Sequence, residues 1–510
     1  MTTPAPQPTE RPPTSLLFPR SRFRPPHLIA WCLVALLALG YLWFVRKHCS
    51  PYASNADASC YLNLAQFWRE GRLSAPVPSL PGLHAPEWRD YYYLPIDFRL
   101  THDPARMTSL GAPGYPLHLL LASYFVGLDW SVVLVNVIAS GAAALFLLLL
   151  ARRFGLPWLW ALSGVVLLWA CPVFVYIATQ PMTDVLSMSW CLAALWSALR
   201  ARDRCRWALA TGFAIGIAVL IRPANLVLVL PVAVTLGLRW RAYLLLGLAG
   251  LPAAGFQVWY NLQLWGRALT TGYGDISSAF GPQFIAANAR YFATGVFVHL
   301  GPCVALAALA FPFVKRRAAL PFGLLASWFA AFIGFYFLCF YSSLEWSLRY
   351  FLPVFPAVIL VALWVGHCAT AHVATAWRRH VILLIALALS LTWQIHAGRV
   401  LHALIMKRGE IIYPQSAAWI RQHGPDAIVF ANQVSGALWY YTDAVVVRVD
   451  YVDVANVQRL YAAAAQTHRP VYAVLFGAEN APVFPDRLPG TWIPRARFGI
   501  IEIFELVPAP

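Results

Sequence analysis

Apolar runs long enough to cross a bilayer recur along this chain, and no other feature of the sequence limits its fold as much. A helical span needs about 20 apolar residues, and lipid offers no partner to an open backbone, so each such run must be helical. The runs fall at 28–45, 131–151, 156–176, 182–199, 207–221, 223–238, 242–260, 293–313, 319–341, 350–368 and 380–397. They predict an α-helical polytopic membrane protein with about 11 transmembrane helices. Composition agrees, since 60% of the 510 residues are hydrophobic and only 12% are charged, about half the charge of an ordinary soluble domain.

The formal charge of +17 does not call for nucleic acid as a partner, because most basic residues sit between apolar runs, where they set orientation. With the N-terminus inside, the cytoplasmic loops carry Arg152-Arg153, the arginines at 200, 202, 204 and 206, Arg239 with Arg241, Lys315-Arg316-Arg317 and Arg378-Arg379. All five loops are then basic, as the positive-inside rule requires. Reading 207–238 as one helix would invert everything downstream, and Pro223 is a natural helix start, so two short spans are expected there. The run 116–128 is too short to span and is expected to lie at the external interface.

The Pro-, Thr- and Arg-rich segment 1–27 reads as a disordered cytoplasmic tail. The transmembrane domain then covers 28–400, with a long first external loop at 46–130. That loop holds a helical stretch at 57–70, which Gly71 is placed to end, and the aromatic cluster Tyr91-Tyr92-Tyr93, suited to a membrane interface. From about 408 the composition changes. Short strands at 427–431, 444–449, 471–475 and 500–506 and a helix at 453–466 predict a small external α/β domain over 408–510. Of nine cysteines, Cys49 and Cys60 flank the first loop and suit a disulfide if that face is oxidising; the others read as small buried hydrophobes. Gly272-Tyr273-Gly274 lacks the strand and helix of a nucleotide-binding loop.

Several residues have the right chemistry for a site. Asp57 opens the loop helix just outside the first span; a carboxylate there is stabilised by the helix dipole, and beside a cavity it can also take a proton from a hydroxyl. Asp184 opens the fourth span on the same side, which invites pairing with Asp57 across one cavity. Arg222 and Arg349 are the external arginines nearest to span ends, where they either snorkel to headgroups or clamp a phosphate. His84, His102 and Asp103 offer metal-ligand chemistry at no specific spacing.

At these residues the chain resembles the GT-C glycosyltransferases, in particular bacterial relatives of the protein O-mannosyltransferases and of the lipid A aminoarabinose transferase. The resemblance runs through Asp57, Tyr61, Ala65 and Gly71, Ala112-Pro113-Gly114-Tyr115-Pro116-Leu117, the segment 180–184 and Leu220-Ile221-Arg222-Pro223. It continues through Tyr260-Asn261, Trp265-Gly266, Thr271-Gly272-Tyr273 and Arg349-Tyr350-Phe351-Leu352-Pro353. It implies an enzyme of a bacterial inner membrane that takes a hexosyl or pentosyl group from a polyprenyl-phosphate-sugar donor. The acceptor is a lipid, a glycan or a protein, the active site lies on the periplasmic side, and the sugar carbon is inverted. By that resemblance Asp57 is the base, Asp184 a second carboxylate, and Arg222 or Arg349 holds the donor phosphate, with Tyr61, Tyr115, Asn261, Tyr273 and Tyr350 around the cavity. Many relatives have Asp-Glu in the first loop, whereas Asp57 is followed here by Ala58; the resemblance therefore fixes no cofactor and leaves a divalent metal open. The competing class is a transporter or flippase of lipid-linked sugars, for which paired repeats and mid-membrane charges would be expected.

Overall fold

The computed structural model describes residues 28–80, 83, 92–275, 277–309, 319–340, 345–484 and 486–507. The segment 1–27, His84, Tyr91 and the Lys315-Arg316-Arg317 cluster lie outside the described residues.

Helix α1, Leu28–His48, leads into the first loop. The loop is ordered around α2, Ala56–Arg69, followed by a small antiparallel sheet in the order β1-β3-β2 (Ala75–Pro76, Phe98–Leu100, Arg106–Ser109) and by α3, Gly114–Val126. Asn55 starts α2 by accepting from the Ala58 amide at 3.1 Å, and Gly71, at φ +74°, lets the chain turn away after it.

The bundle comprises α4 (Leu128–Arg153), α5 (Trp158–Ala170), α6 (Pro172–Ala178), α7 (Asp184–Asp203), α8 (Trp207–Ile221), α9 (Val229–Leu236) and α10 (Trp240–Trp265). It is completed by α11 (Ile285–Leu300), α12 (Pro302–Ala308), α13 (Ala319–Phe337), α14 (Phe355–Ala369) and α15 (Ala376–Val400). Among the described residues five helices are long and apolar enough to cross a membrane, or seven if two bent pairs each count as one span. Counted this way the described residues give fewer spans than the eleven expected, and two of the expected runs are bent. The runs at 156–176 and 293–313 are each two helices, bent by 64° ahead of Pro172 and by 116° ahead of Pro302. Proline forfeits a backbone hydrogen bond and crowds the preceding turn, so the helix breaks there. The run 207–238 also breaks, at Arg222-Pro223.

Small residues set how closely these helices pack, as in other bundles where lipid gives no net drive to association. A side chain on Gly212 would run into the Leu246 carbonyl of α10. One on Gly114 would meet the backbone of Leu220 and Ile221, so α3 is pinned against the end of α8 just before Arg222.

The C-terminal region is a five-stranded sheet ordered β5-β4-β6-β8-β7. Strands β4 (Ile428–Ala431), β5 (Val445–Arg448) and β6 (Val471–Phe476) are parallel, and β8 (Ile501–Val507) and β7 (Thr491–Phe498) are added antiparallel. The parallel strands are buried on both faces, which is why they read as continuous apolar runs. Ile428 and Phe430 pack with Leu460 of α18 (Val454–Gln466), and Val429 and Ala431 pack with Ile420 of α16 (Ile412–His423).

This sheet region docks on the first loop. Asn63 Nδ2 donates to the Gly436 carbonyl of α17 (Ser435–Tyr441) at 3.0 Å, the Ala53 amide donates to Tyr441 Oη at 3.0 Å, and Ser54 and Asn55 both donate to the buried Glu410 carboxylate. Two expectations are corrected here. Tyr93 is fully buried with Phe430 in the sheet core, so it holds the loop to this region and does not anchor in lipid. Cys49 and Cys60 are buried free thiols, with no disulfide between them; Cys60 Sγ instead accepts from Ser109 Oγ at 2.8 Å.

Candidate active site

Asp57 lies in the first turn of α2, so its carboxylate gains from that helix terminus. Its partner comes from 292 residues away: Arg349 Nη2 donates to Asp57 Oδ2. Arg349 sits on the 3-10 segment Glu345–Val354 that leads into α14, and its Nη1 lies 2.9 Å from Met182 Sδ. Met182 belongs to the non-helical stretch between α6 and α7, which brings Asp184 within electrostatic reach of the same arginine.

Arg222 is the counterpart for Asp184. Pro223 bars the α conformation for the residue before it, so Arg222 is extended, at φ −146° and ψ 114°. Its side chain therefore leaves the end of α8 toward α7, where Nη2 lies 2.9 Å from Asp184 Oδ1 and Nε donates to Thr183 Oγ1 at 2.8 Å. Asn225 braces the break by donating to Ser187 Oγ and to the Ala218 carbonyl, each at 2.7 Å. Asp184 is wholly buried, and among the described residues neither of its oxygens accepts a hydrogen bond in good alignment.

The two ion pairs share a ring. The guanidinium carbons of Arg222 and Arg349 each lie 5.1 Å from the Tyr350 ring centroid, within cation–π range. Two carboxylates and two guanidiniums thus meet at the end of the bundle that carries the first loop. Burial pushes the Asp57 carboxyl up, but the charges of Arg349 and then Arg222 outweigh it and hold it below the usual carboxylate range. It is ionised at neutral pH.

The remaining residues singled out in the sequence are placed less uniformly. Tyr61 is buried and meets Tyr115 edge-on at 5.4 Å. Tyr115 is fully buried, its hydroxyl donating to Asn136 Oδ1, while Asn136 Nδ2 donates to the Ala178 and Gln180 carbonyls. Its visible work is to brace the stretch ahead of Asp184. Asn261 Nδ2 donates to the Ala268 carbonyl at 2.7 Å and shapes the loop after α10. Tyr273, on that loop, is 56% exposed and within electrostatic reach of Asp57 and Asp97. The loop is tied down by Arg99 Nη1, which donates to the Gly272 carbonyl at 2.8 Å.

A third carboxylate was not foreseen. Asp97 adopts φ +60°, a left-handed conformation that only three non-glycine residues show among the described ones. Strained backbone of this kind tends to collect at functional sites. Burial, then the negative Asp57, push its carboxyl up to about 6, while Arg448 of β5 and Arg349 oppose that. The one sequence signal was an Asp in a loop rich in turn formers, since Asp tolerates the left-handed region better than most.

This carboxyl gives a stability prediction with a definite sign. The folded value lies above the ordinary one of about 3.9, so the protonated form is favoured by folding. That contribution is complete at lower pH and is lost as pH rises through about 6. Relative to Asp97→Asn, the wild-type chain is expected to lose thermal stability between about pH 4 and 6. A constant difference in Tm across that window would show that Asp97 titrates normally.

Among the described residues the candidate ligands are engaged elsewhere. No group of three or more His, Cys, Asp and Glu side chains converges among the described residues. The Asp57 carboxylate faces Arg349, and that of Asp184 faces Arg222. His102 Nδ1 faces the Leu264 carbonyl and Asp103 Oδ1 accepts from the Ala105 amide, so this pair serves the loop.

The sequence pattern of the dolichyl-phosphate-mannose-protein mannosyltransferase family matches residues 114–251, which include Asp184 and Arg222. The crystal structure of ArnT from Cupriavidus metallidurans bound to undecaprenyl phosphate superposes with a TM-score of 0.59, at 14% identity, over 94% of this chain and 98% of that one. The chain therefore shares the fold of that ArnT. The apo form of the same ArnT gives the same figures. The archaeal oligosaccharyltransferase AglB from Archaeoglobus fulgidus, in complex with an inhibitory peptide and a dolichol-phosphate, matches with a TM-score of 0.52 at 14% identity, over 88% of this chain and 69% of that one. No curated protein matches significantly. The likeness of fold to ArnT thus extends over nearly the whole length, far beyond the segment that the family pattern covers.

Proposed function

We propose that the chain is a membrane glycosyltransferase that moves a sugar from a polyprenyl-phosphate carrier to an acceptor hydroxyl or amine on the external face of a bacterial inner membrane, with inversion. The N-terminus is then cytoplasmic and the C-terminal sheet region external. The observation that carries this reading is the convergence of the Asp57–Arg349 and Asp184–Arg222 pairs on Tyr350. Two of the similar structures hold a lipid phosphate, undecaprenyl phosphate in one and dolichol-phosphate in the other, which supports the donor class.

The chemistry balances with these groups. The acceptor oxygen or nitrogen gives its proton to Asp57 and attacks the anomeric carbon. The bond from that carbon to the phosphate oxygen breaks, and the lipid phosphate leaves with the electron pair. Arg349 carries five N–H donors, enough to keep Asp57 oriented while meeting phosphate oxygens. Arg222 adds a second fixed cation at the same place. Such preorganised charge stabilises the leaving group without reorganisation at the moment of reaction. Asp184, wholly buried beside Arg222, holds that cation in place.

Reconstitution separates this reading from a transporter. Vesicles carrying the chain and a polyprenyl-phosphate sugar labelled in the sugar are expected to release free polyprenyl phosphate and to place label on extracted envelope acceptors. Movement of the intact glycolipid between leaflets, with no new glycosidic bond, would overturn it.

A further inference from the structure

Helices α1, α5, α6 and α15 enclose a groove of about 800 Å³, within the size range of ligand sites. Its walls are apolar, with Leu36 and Phe44 from α1, Trp169 and Val175 from α5 and α6, and Ile395 from α15. The carboxylate–guanidinium cluster is met from another side of α6, where Tyr176 stacks at 3.6 Å on Trp346 of the same segment that carries Arg349.

Two features are out of place in a groove meant only for bulk lipid. Gln394, 1% exposed, lies in the lining; its Nε2 donates to the Leu167 and His299 carbonyls, yet its Oε1 accepts nothing. A buried acceptor left unmet is costly, so this oxygen marks a place for a hydrogen-bond donor. Arg399 and His402 line the mouth at the end of the bundle that carries the first loop, both exposed and neither in an ion pair among the described residues. Lys407 adds to this positive rim, its Nζ donating to the Lys47 carbonyl at 3.1 Å. The buried Glu410 carboxylate forms no ion pair with these rim cations among the described residues and accepts instead from Ser54 and Asn55.

We infer that this groove binds an acidic diacyl phospholipid of the phosphatidylglycerol type. The phosphate sits on Arg399 and His402 at the rim, and the acyl chains lie along α1 and α15. Basic residues at the mouth of an apolar cleft between transmembrane helices are the arrangement that selects anionic headgroups. Gln394 lies five residues before Arg399, about 7.5 Å deeper along the helix, on the acyl side of a phosphate held at the rim. The inference does not depend on the proposed reaction.

The test uses the full chain, stripped of lipid in detergent and titrated with phosphatidylglycerol or phosphatidylcholine of identical acyl chains, with bound lipid counted by native mass spectrometry. Phosphatidylglycerol is expected to be retained about tenfold more tightly. Arg399→Gln should remove that preference. Gly398→Leu should remove binding of both lipids, since a Cβ there already reaches Pro172 at 3.8 Å and the longer side chain must fill the groove. Arg378→Gln, at the opposite end of α15, should change nothing. Equal retention of the two lipids by the wild-type chain would overturn the inference without recourse to any variant. So would an undiminished preference in Arg399→Gln, or competition by free glycerol phosphate as strong as that of the lipid.

Discussion

Asp57→Asn is expected to lower turnover by about 10²–10⁴-fold, the usual contribution of a positioned general base, while donor binding changes little. Asparagine keeps the shape of the side chain and one acceptor toward Arg349, so the loop helix and the docked sheet region have no reason to move. What it loses is the charge that, in the proposed reaction, takes the acceptor proton. In the wild-type chain burial alone would raise the Asp57 carboxyl; Arg349 first and Arg222 second hold it low, so the base is ready at neutral pH. The acid limb of the rate profile should accordingly fall below the ordinary carboxylate range, and Arg349→Gln should shift that limb upward as well as weaken the donor's phosphate contact. The measurement is single-turnover transfer in vesicles, with donor affinity read separately by competition with polyprenyl phosphate. Full turnover by a stably inserted Asp57→Asn chain would remove the carboxylate from the chemistry.

How much of this was legible in the sequence depended on how local the deciding interaction was. The loop helix could be read because Asn55, Asp57 and Gly71 mark its ends within its own sequence. Four of the C-terminal strands could be read because burial on one or both faces leaves apolar runs. Strand β7 could not: it is an edge strand with Pro494, Arg495 and Arg497 and a register shift after Pro494, features that keep edges from pairing further but erase the apolar signature. The bends ahead of Pro172 and Pro302 were hidden for the opposite reason, since apolar residues continue through them and hydropathy does not register direction. Within the site, Asp57, Asp184, Arg222 and Arg349 were visible as charges at the ends of apolar runs. Their pairing was not visible, because Asp57 and Arg349 are 292 residues apart. Asp97 and Arg448 escaped notice because their proximity arises only when the C-terminal sheet docks on the first loop, a contact made through Ser435, Gly436 and Tyr93. Tyr93 shows the same limit, since an aromatic that suits a membrane interface equally suits a sheet core.

The Asp184–Arg222 pair should dominate the stability of the site, and the sign of the effect depends on which partner is removed. Asp184 is fully buried and Arg222 is 12% exposed, so neither charge has water to fall back on. Attraction between two charges in such a place roughly offsets the cost of desolvating them, but removing one partner strands the other, at about 3–5 kcal/mol. Arg222→Gln leaves Asp184 without its cation and breaks the bond to Thr183 Oγ1, so it should lower stability by about that amount. The double variant Asp184→Asn with Arg222→Gln replaces two charges by two amides of similar shape and should recover most of the loss. A double-mutant cycle on denaturant unfolding in mixed micelles measures the coupling. Additive effects of the two single substitutions would mean that each side chain is solvated separately when the membrane is present, and that the shared site around Tyr350 does not exist as a charged cluster. A coupling near the full loss, together with a double variant that folds yet transfers no sugar, would separate the two roles of the pair: its charges would then serve the reaction, while the break at Arg222-Pro223 and the Asn225 bracing keep the backbone in place without them.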